Sequence, residues 1–143
     1  MNSENNGTTS IADLLFDAAN SWPEKPAITF LEETQTWLET KTRCHAAATL
    51  LVRAGVRRGD RVAYLGLNSN VCFESYFTPA LIGAVLVPIN YRLSIREMIE
   101  CVEDCEPSVL IVDENFIEQA YQLKDACRRL QTIISFGDSS CPE

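Results

Sequence analysis

The chain has 143 residues, of which 46% are hydrophobic and 22% charged, a composition typical of one folded soluble domain. Its 20 acidic residues outnumber its 12 lysines and arginines, and the formal charge of -8 opposes binding to nucleic acid or to an anionic lipid surface. The sequence lacks a signal-peptide pattern and any apolar segment of the roughly 20 residues that span a bilayer, so we expect a cytoplasmic protein, with the peroxisome and the mitochondrion as alternatives.

The N-terminal third of the chain predicts a leader, a helix, a hairpin and a second helix. Ser10 is a plausible N-cap for the first helix, and Thr36 with Glu39 forms a capping box at the start of the second. Gly55 is expected to end that second helix after Arg53. The flexible leader, the helix, the two strands of the hairpin and the second helix are predicted at residues 1–10, 11–19, 27–30, 34–37 and 37–53.

From Arg61 the sequence alternates short apolar strands with longer helices. The predicted elements, strand first, cover residues 61–66, 71–83, 84–88, 94–105, 108–113, 116–127 and 132–136. The run VLIV at 109–112 is apolar at every position, so it is expected to be a central parallel strand that is buried on both faces. Pro79 is expected to kink or interrupt its helix.

The order of these elements predicts an α/β fold over residues 11–136, with a tail at 137–143. We expect a mainly parallel sheet with helices on both faces and an N-terminal hairpin. A second capping box, Ser94 with Glu97, begins the helix at 94–105. That helix is expected to dock on the sheet through one apolar face, formed by Ile95, Met98, Ile99, Val102 and Cys105.

The six cysteines and the single histidine do not predict a metal site. The cysteines form no CxxC pair, and a cytosolic thiol is usually a small buried apolar residue. Cys101 and Cys105 are four residues apart and could share one helix face. His45 lies among small residues of a helix, so a partly buried structural role is favoured over that of a catalytic base.

The turns that follow the strands are the places to search for a ligand site, because open parallel sheets bind ligands beyond the carboxyl ends of their strands. The turn GLNSN at 66–70 could hold an anion or a small molecule on backbone N–H groups, or its polar side chains could cap a helix. Asp113 could face a ligand or cap the next helix. The sequence has no GxxxxGK[ST] phosphate loop and no nucleophile–base constellation, so no catalytic residue is predicted.

Three stretches of the sequence resemble the N-terminal region of the adenylate-forming acyl-CoA synthetases: TWLETKTRCHAAATLL, GVRRGDRVAYLGLNS and FTPALIGAVLVPINYRLSIREM. The residues that carry the resemblance are Gly55, Gly59, Asp60, Arg61, Val62, Asn68, Gly83, Ala84, Pro88, Asn90 and Arg92. Asn90 together with Arg92 resembles the fatty-acid and aryl-acid CoA ligases of that superfamily. The resemblance covers about Ile11 to Phe136, in order and spacing, and implies a partial N-terminal subdomain of such an enzyme.

The resemblance implies a reaction that this chain cannot complete alone. Full-length members use ATP and Mg²⁺ to convert a carboxylic acid to an acyl-adenylate, from which CoA displaces AMP. The family's phosphate loop and catalytic lysine have no counterpart here, so the chain alone is expected to be inert and to bind none of these cofactors. It is also expected to self-associate, through an exposed sheet edge or an uncovered apolar helix face. Asn90 and Arg92 are weak candidates for substrate contact, and scaffolding is their expected task. The alternative is a truncated, non-enzymatic interaction or regulatory module.

Overall fold

The computed structural model describes residues 10–137. Residues 1–9 of the leader predicted at 1–10, and residues 138–143 of the tail predicted at 137–143, which include Cys141, lie outside the described residues. The helices and strands in chain order are α1 (Ile11–Ser21), β1 (Pro26–Phe30), β2 (Glu33–Thr36), α2 (Trp37–Arg53), β3 (Arg61–Leu65), α3 (Asn70–Ser75), β4 (Val85–Ile89), α4 (Ile95–Cys105), β5 (Val109–Asp113), α5 (Ile117–Ala126) and β6 (Thr132–Phe136). Short 3-10 turns at Ala80–Ile82 and Glu114–Phe116 precede β4 and α5.

Three of the helices begin with a complete capping box. In each box the hydroxyl of the N-cap residue accepts a hydrogen bond from a backbone N–H, and the carboxylate three residues later accepts one from the N-cap backbone; the pairs are Ser10–Asp13, Thr36–Glu39 and Ser94–Glu97. These hydrogen bonds lower the pKa of each carboxyl group. The two predicted boxes and the Ser10 N-cap are confirmed. Asp13 was missed because aspartate is not the usual third residue of the motif.

Proline interrupts the helical segment that was predicted at 71–83. Helix α3 ends at Ser75, and the chain passes through Pro79 into a 3-10 turn that ends at Gly83. Gly83 has φ = 70°, the left-handed conformation that glycine adopts without strain. The interruption at Pro79 is confirmed, and a single helix over 71–83 is wrong because proline removes a backbone donor.

Four parallel strands form the sheet in the order β4–β3–β5–β6, and β1 pairs with β2 in a separate antiparallel hairpin. Strand β5 lies between β3 and β6, and all five of its residues are buried. The prediction of a central strand buried on both faces is therefore confirmed. The α/β class and the N-terminal hairpin are confirmed as well.

Helices cover the sheet on both sides, and each side has its own core. Strand residues Ala63, Leu65, Leu110 and Val112 pack with α4 and α5 on one side, and Val62, Tyr64, Val109 and Ile111 pack with residues of α2 and α3 on the other. On α4, Met98 and Val102 are buried and Ile95 and Ile99 are partly buried against the first core, as the helical spacing predicted. A third cluster joins α1 to α2 through Leu15, Cys44 and Phe77.

Candidate functional site

The strand order creates a topological switch point at the carboxyl ends of β3 and β5. From β3 the chain crosses to β4 on one side, whereas β5 neighbours β3 on the other side. The turns that follow β3 and β5 therefore diverge, and open α/β sheets bind ligands in the crevice at such a point. The two turns lie close together here, since a Cβ atom added to Gly66 would be 2.9 Å from Cβ of Asp113.

Tyr64 is a buried tyrosine beneath this switch point. Its hydroxyl donates a hydrogen bond to the carbonyl oxygen of Leu67 at 2.9 Å, and its ring stacks on Phe136 with 5.9 Å between the centroids. Burial raises the pKa of the Tyr64 hydroxyl well above its usual value. The group therefore stays protonated at neutral pH and acts as a hydrogen-bond donor that holds the turn after β3.

Asp113 and Ser69 both cap the segment that follows them. Oδ1 of Asp113 accepts hydrogen bonds from the backbone N–H of Asn115 at 3.0 Å and from its side-chain amide at 2.7 Å. The hydroxyl of Ser69 accepts a hydrogen bond from the backbone N–H of Cys72 at 3.1 Å and begins α3. The capping roles are confirmed, and ligand binding at these two turns stays a prediction.

The corner that follows β4 is held by local contacts. Oδ1 of Asn90 accepts a hydrogen bond from the backbone N–H of Arg92 at 3.0 Å, an arrangement that closes a turn. The guanidinium of Arg92 lies 5.5 Å from the ring centre of Tyr91, and that ring packs 5.8 Å from Phe116. Asn90 and Arg92 are both exposed. These contacts support a scaffolding role, and substrate contact by Asn90 or Arg92 stays a prediction.

Other residues of the sequence resemblance lie at the start of β3, at the opposite end of the strands from the switch point. The backbone N–H of Gly59 donates to the carbonyl of Gly83 at 2.9 Å. The carboxylate of Asp60 accepts hydrogen bonds from the Arg57 backbone at 2.8 Å and from the Arg129 guanidinium at 2.9 Å. Nε of Arg61 donates at 2.6 Å to the carbonyl of Cys105, the last residue of α4. These residues therefore join neighbouring elements rather than line a ligand site.

A second concavity lies between the hairpin and α2, and we call it the hairpin groove. Its volume is about 930 Å³, and it is lined by Ile28, Phe30, Leu31, Glu32, Glu33, Thr34, Gln35, Leu38, Glu39, Thr42, Arg43 and Asn70. Sequence reasoning missed this groove because its walls come from a hairpin and a helix whose mutual orientation no local pattern reveals. The exposed Leu31, which is followed by Glu32 and Glu33 at the tip of the hairpin, is a local signal that could have pointed to it.

A buried carboxylate joins the hairpin, α2 and α3 through Gln35 and Arg43, two residues that line this groove. Glu74 of α3 is 5% exposed and accepts hydrogen bonds from Nε and, at 3.3 Å, from Nη2 of Arg43. The side-chain amide of Gln35 also donates to Glu74 at 2.9 Å and to the hydroxyl of Thr40 at 2.7 Å. The hydrogen bond to Glu74 raises the pKa of Arg43. This network fixes the position of the hairpin relative to the two helices.

The remaining candidate groups are separate from one another. His45 is exposed, with its ring 5.6 Å from that of Phe16, so the expectation of a partly buried histidine was wrong. Its position on the outer side of α2 explains the difference.

The five cysteines within residues 10–137 are free thiols, and burial raises the pKa of Cys44 to about 11. Within the same residues no three His, Cys, Asp or Glu side chains are grouped to hold a metal ion, and no helix is long and apolar enough to cross a membrane.

Comparison with known proteins connects this architecture to one family. A family model described as AMP-binding enzyme matches residues 15–142. An indoleacetate–CoA ligase of Aromatoleum aromaticum is 34% identical over 114 residues, covering 80% of this chain and 22% of the relative. A peroxisomal butyrate–CoA ligase of Arabidopsis thaliana is 32% identical over 99 residues, covering 69% of this chain and 17% of the relative. The chain thus spans about a fifth of the length of these curated relatives.

The fold also resembles the solved structure of a protein assigned to the same class of enzymes. The chain superposes on a protein of Rhodopseudomonas palustris assigned as a long-chain-fatty-acid CoA ligase with a TM-score of 0.86 and 30% identity. The superposition covers 94% of this chain and 34% of that one. The parallel sheet, the helices on its two faces and the hairpin therefore occur together within a longer chain.

Proposed function

Because the chain belongs to the family of AMP-binding enzymes, we propose that it is the N-terminal part of an ATP-dependent acid–CoA ligase. In such an enzyme a carboxylate oxygen attacks the α-phosphorus of ATP and pyrophosphate leaves. The thiol of CoA then attacks the acyl carbonyl, and AMP leaves. The observation that carries this proposal is the agreement of the family match over residues 15–142 with the superposition on a CoA ligase at a TM-score of 0.86.

We propose no finer substrate than a fatty or aryl acid. One of the relatives above is named for indoleacetate and another for butyrate, and this range supports the coarse class alone. The side chains that would select the acid are not assigned, and Asn90 and Arg92 remain the candidates from this chain. Their exposed position on a closed turn supports a scaffolding task more than acid contact.

The chain by itself supplies no catalytic group in this proposal. Charge neutralisation at the reacting phosphate by metal and lysine is the main source of rate in such a reaction, and the sequence has no phosphate loop. Within residues 10–137 no three His, Cys, Asp or Glu side chains are grouped to hold the Mg²⁺ that the family implies, and Oδ1 of Asp113 at the switch point already accepts from Asn115. ATP, Mg²⁺ and CoA are therefore proposed for the longer enzyme and not for this chain.

Acid-dependent exchange of pyrophosphate into ATP tests the proposed inertness. The purified 143-residue chain is expected to show no exchange above a protein-free control with fatty or aryl acids. The full-length indoleacetate–CoA ligase of Aromatoleum aromaticum with its own acid is the positive control. Exchange by the 143-residue chain that survives repurification would contradict the proposed inertness.

A chimera in which this chain replaces the matching segment of that ligase tests the ligase assignment. A folded chimera is expected to form the CoA ester, and a folded but inactive one would count against the assignment.

We further propose that the chain self-associates, because the described sheet ends at β4 and β6 with backbone groups that no neighbouring strand pairs. The exposed apolar side chains of Leu50, Val52 and Val85 add to this tendency, since each is more than half exposed. Sedimentation velocity is expected to show a weight-average mass that rises with protein concentration. A mass of 16.0 kDa at every concentration would show that the proposal is wrong.

The alternative function is a non-enzymatic interaction or regulatory module, and the hairpin groove is the observation that favours it.

For localisation we propose the cytoplasm, with the peroxisome as the alternative because one relative is named as peroxisomal. Fractionation of the source cells followed by detection of the chain with an antibody tests both compartments. Recovery with a peroxisomal marker protein would replace the cytoplasmic proposal.

A further inference from the structure

The hairpin contributes no side chain to the three cores described above. None of the residues 26–36 is buried, and none belongs to the clusters that pack on the two faces of the sheet or between α1 and α2. All five residues of β5, in contrast, are buried. Because burial of apolar surface is the main favourable term in folding, the hairpin is held to the protein by a smaller free energy than the strands of the sheet are.

The apolar side chains of the hairpin line a groove instead of filling a core. Ile28 and Phe30 of β1 belong to the lining of the hairpin groove, whose volume is about 930 Å³. Leu31 at the hairpin tip is 69% exposed, and Leu38, a lining residue from α2, is 44% exposed. Side chains beside an open groove lose few packing contacts when the hairpin moves away from the helices.

The base of the hairpin is fixed by backbone hydrogen bonds. The N–H of Trp37 donates to the carbonyl of Lys25 at 3.1 Å, and the N–H of Leu38 donates to the carbonyl of Pro23 at 3.0 Å. Trp37 also packs against the third core, between α1 and α2. The chain on either side of the hairpin is therefore anchored to the helices, and a movement of the hairpin takes place beyond these anchors.

Beyond the base, one side chain carries the hydrogen bonds from the hairpin to the helices. Among the described residues, Gln35 is the residue of 26–35 whose side chain bonds to α2 and α3. Its amide donates to the hydroxyl of Thr40 at 2.7 Å and to the carboxylate of Glu74 at 2.9 Å. The other side-chain hydrogen bond of this segment joins β1 to β2. The two hydrogen bonds of Gln35 therefore act as a latch.

Release of Gln35 leaves no unpaired charge on the helices. The carboxylate of Glu74 keeps its ion pair with Arg43, and these two residues belong to α3 and α2. Water can replace the amide of Gln35 on Glu74 once the hairpin has moved away. Detachment therefore breaks the latch and the contacts of β1 and β2 with the two helices, but not the connection between the helices.

We propose that the hairpin is a flap that detaches from α2 and α3 as one unit while the four-stranded sheet stays folded, with Gln35 as its latch. An isolated two-stranded hairpin is at best marginally stable in water, so the hydrogen bonds between β1 and β2 break once the flap is detached. Detachment removes one wall of the hairpin groove. The groove lining includes Asn70, the last residue of the turn 66–70 at the switch point, so the flap controls access to one side of that turn.

Native-state hydrogen exchange of the 143-residue chain at low urea concentrations tests this inference. The amides that pair β1 with β2 are expected to be at least about a hundredfold less protected than those of β5, and to share one opening free energy. That free energy is expected to depend less on urea, because detachment exposes less surface than global unfolding does. The protein concentration is kept below that at which the chain self-associates.

Three outcomes of this measurement would overturn the proposal. Equal protection and equal urea dependence in the hairpin and in β5 would show that the hairpin opens only when the whole protein unfolds. Protection that declines gradually from the base of the hairpin to its tip would show fraying rather than detachment of a unit. Absence of any protection in the hairpin would show that the latch holds nothing.

Variants at Gln35 test the latch itself. Gln35→Glu keeps the size of the side chain but places a carboxylate against that of Glu74, and is expected to speed exchange in residues 26–36 at least about tenfold. Gln35→Ala removes the amide without adding charge and is expected to give a smaller effect in the same direction. Gln122→Glu makes the same chemical change on the exposed surface of α5, across the sheet from α2, and is expected to leave hairpin exchange unchanged.

The comparison of these variants decides the role of Gln35. Faster hairpin exchange in both Gln35 variants, but not in Gln122→Glu, would support it. Unchanged hairpin exchange in the Gln35 variants, or equal acceleration in Gln122→Glu, would show that Gln35 is not the latch. The inference goes beyond the proposed ligase and does not depend on it. Its failure would leave the ligase assignment unaffected, because that assignment is tested by CoA-ester formation in the chimera.

Discussion

Replacement of Arg43 by alanine is expected to lower the free energy of unfolding by about 3 kcal/mol, because it leaves the buried carboxylate of Glu74 without its cation. Glu74 is 5% exposed and would keep one hydrogen bond, from Gln35. Arg43 is half exposed, so its own removal from water costs little and the effect lies at the lower end for buried ion pairs. Urea unfolding of the two proteins measures the difference.

The hairpin should respond more strongly than the sheet in the Arg43→Ala variant. Glu74 connects the hairpin through Gln35 and α2 through Arg43, so loss of the ion pair weakens the base on which β1 and β2 rest. Amide hydrogen exchange is expected to become faster at residues 26–36 than in β5. Equal acceleration in the hairpin and in β5 would show that the network has no special role in holding the hairpin.

Two further variants separate the ion pair from simple loss of packing. Arg96→Ala removes an equally long side chain whose partner, Glu100, is exposed, and is expected to cost less than about 0.5 kcal/mol. Glu74→Gln in the Arg43→Ala background is expected to recover about 1 kcal/mol, because a neutral amide costs less to bury than an unpaired carboxylate. If the double variant is no more stable than Arg43→Ala, the unpaired charge is not the cause.

Local patterns in the sequence were sufficient to predict the order of the elements. A capping box is formed by two residues three positions apart, and the burial of β5 follows from four consecutive apolar residues. Pro79 interrupts the helical segment locally, so its effect could also be predicted. These features depend on interactions over a few residues, and such interactions are visible in the sequence itself.

Contacts between distant residues could not be predicted in the same way. Gln35 and Glu74 are 39 residues apart, and nothing near either residue indicates that they meet. The order of the strands, which places the turns after β3 and β5 side by side, depends on how each helix crosses the sheet. His45 was misjudged for a related reason, because its small neighbours do not reveal which side of α2 faces solvent.

The rule for open parallel sheets indicated the turns that follow the strands as the places to search for a ligand, and ligand binding at them stays a prediction. The structure brings two of these turns together, at Gly66 and Asp113. Several residues that carry the family resemblance instead join elements at the opposite end of the strands, as Asp60 and Arg61 do. The sequence resemblance therefore identified the family without locating a site. Residues that stabilise the fold are as characteristic of a family as residues that contact a ligand.

Replacement of Gly66 by alanine is expected to lower the free energy of unfolding by about 2 kcal/mol through crowding at the switch point. The new Cβ would lie 2.9 Å from Cβ of Asp113 and 2.9 Å from the hydroxyl of Tyr64. Neither neighbour can move freely, because Asp113 is fixed by β5 and the Tyr64 ring is stacked on Phe136. Urea unfolding with the Phe136 aromatic signals as a local probe measures the effect.

Substitutions at Gly55 provide the control, since that glycine has φ = 89° and no heavy atom within 4 Å of an added Cβ. Gly55→Ala is expected to cost about 1 kcal/mol from the backbone alone, and asparagine should cost less there because it tolerates the left-handed region. At Gly66 the ranking should reverse, with asparagine worse than alanine, since space rather than φ is limiting. If Gly66→Ala were neutral, the turns after β3 and β5 would have room to separate, and the crevice at the switch point would be wider than the contact between Gly66 and Asp113 implies.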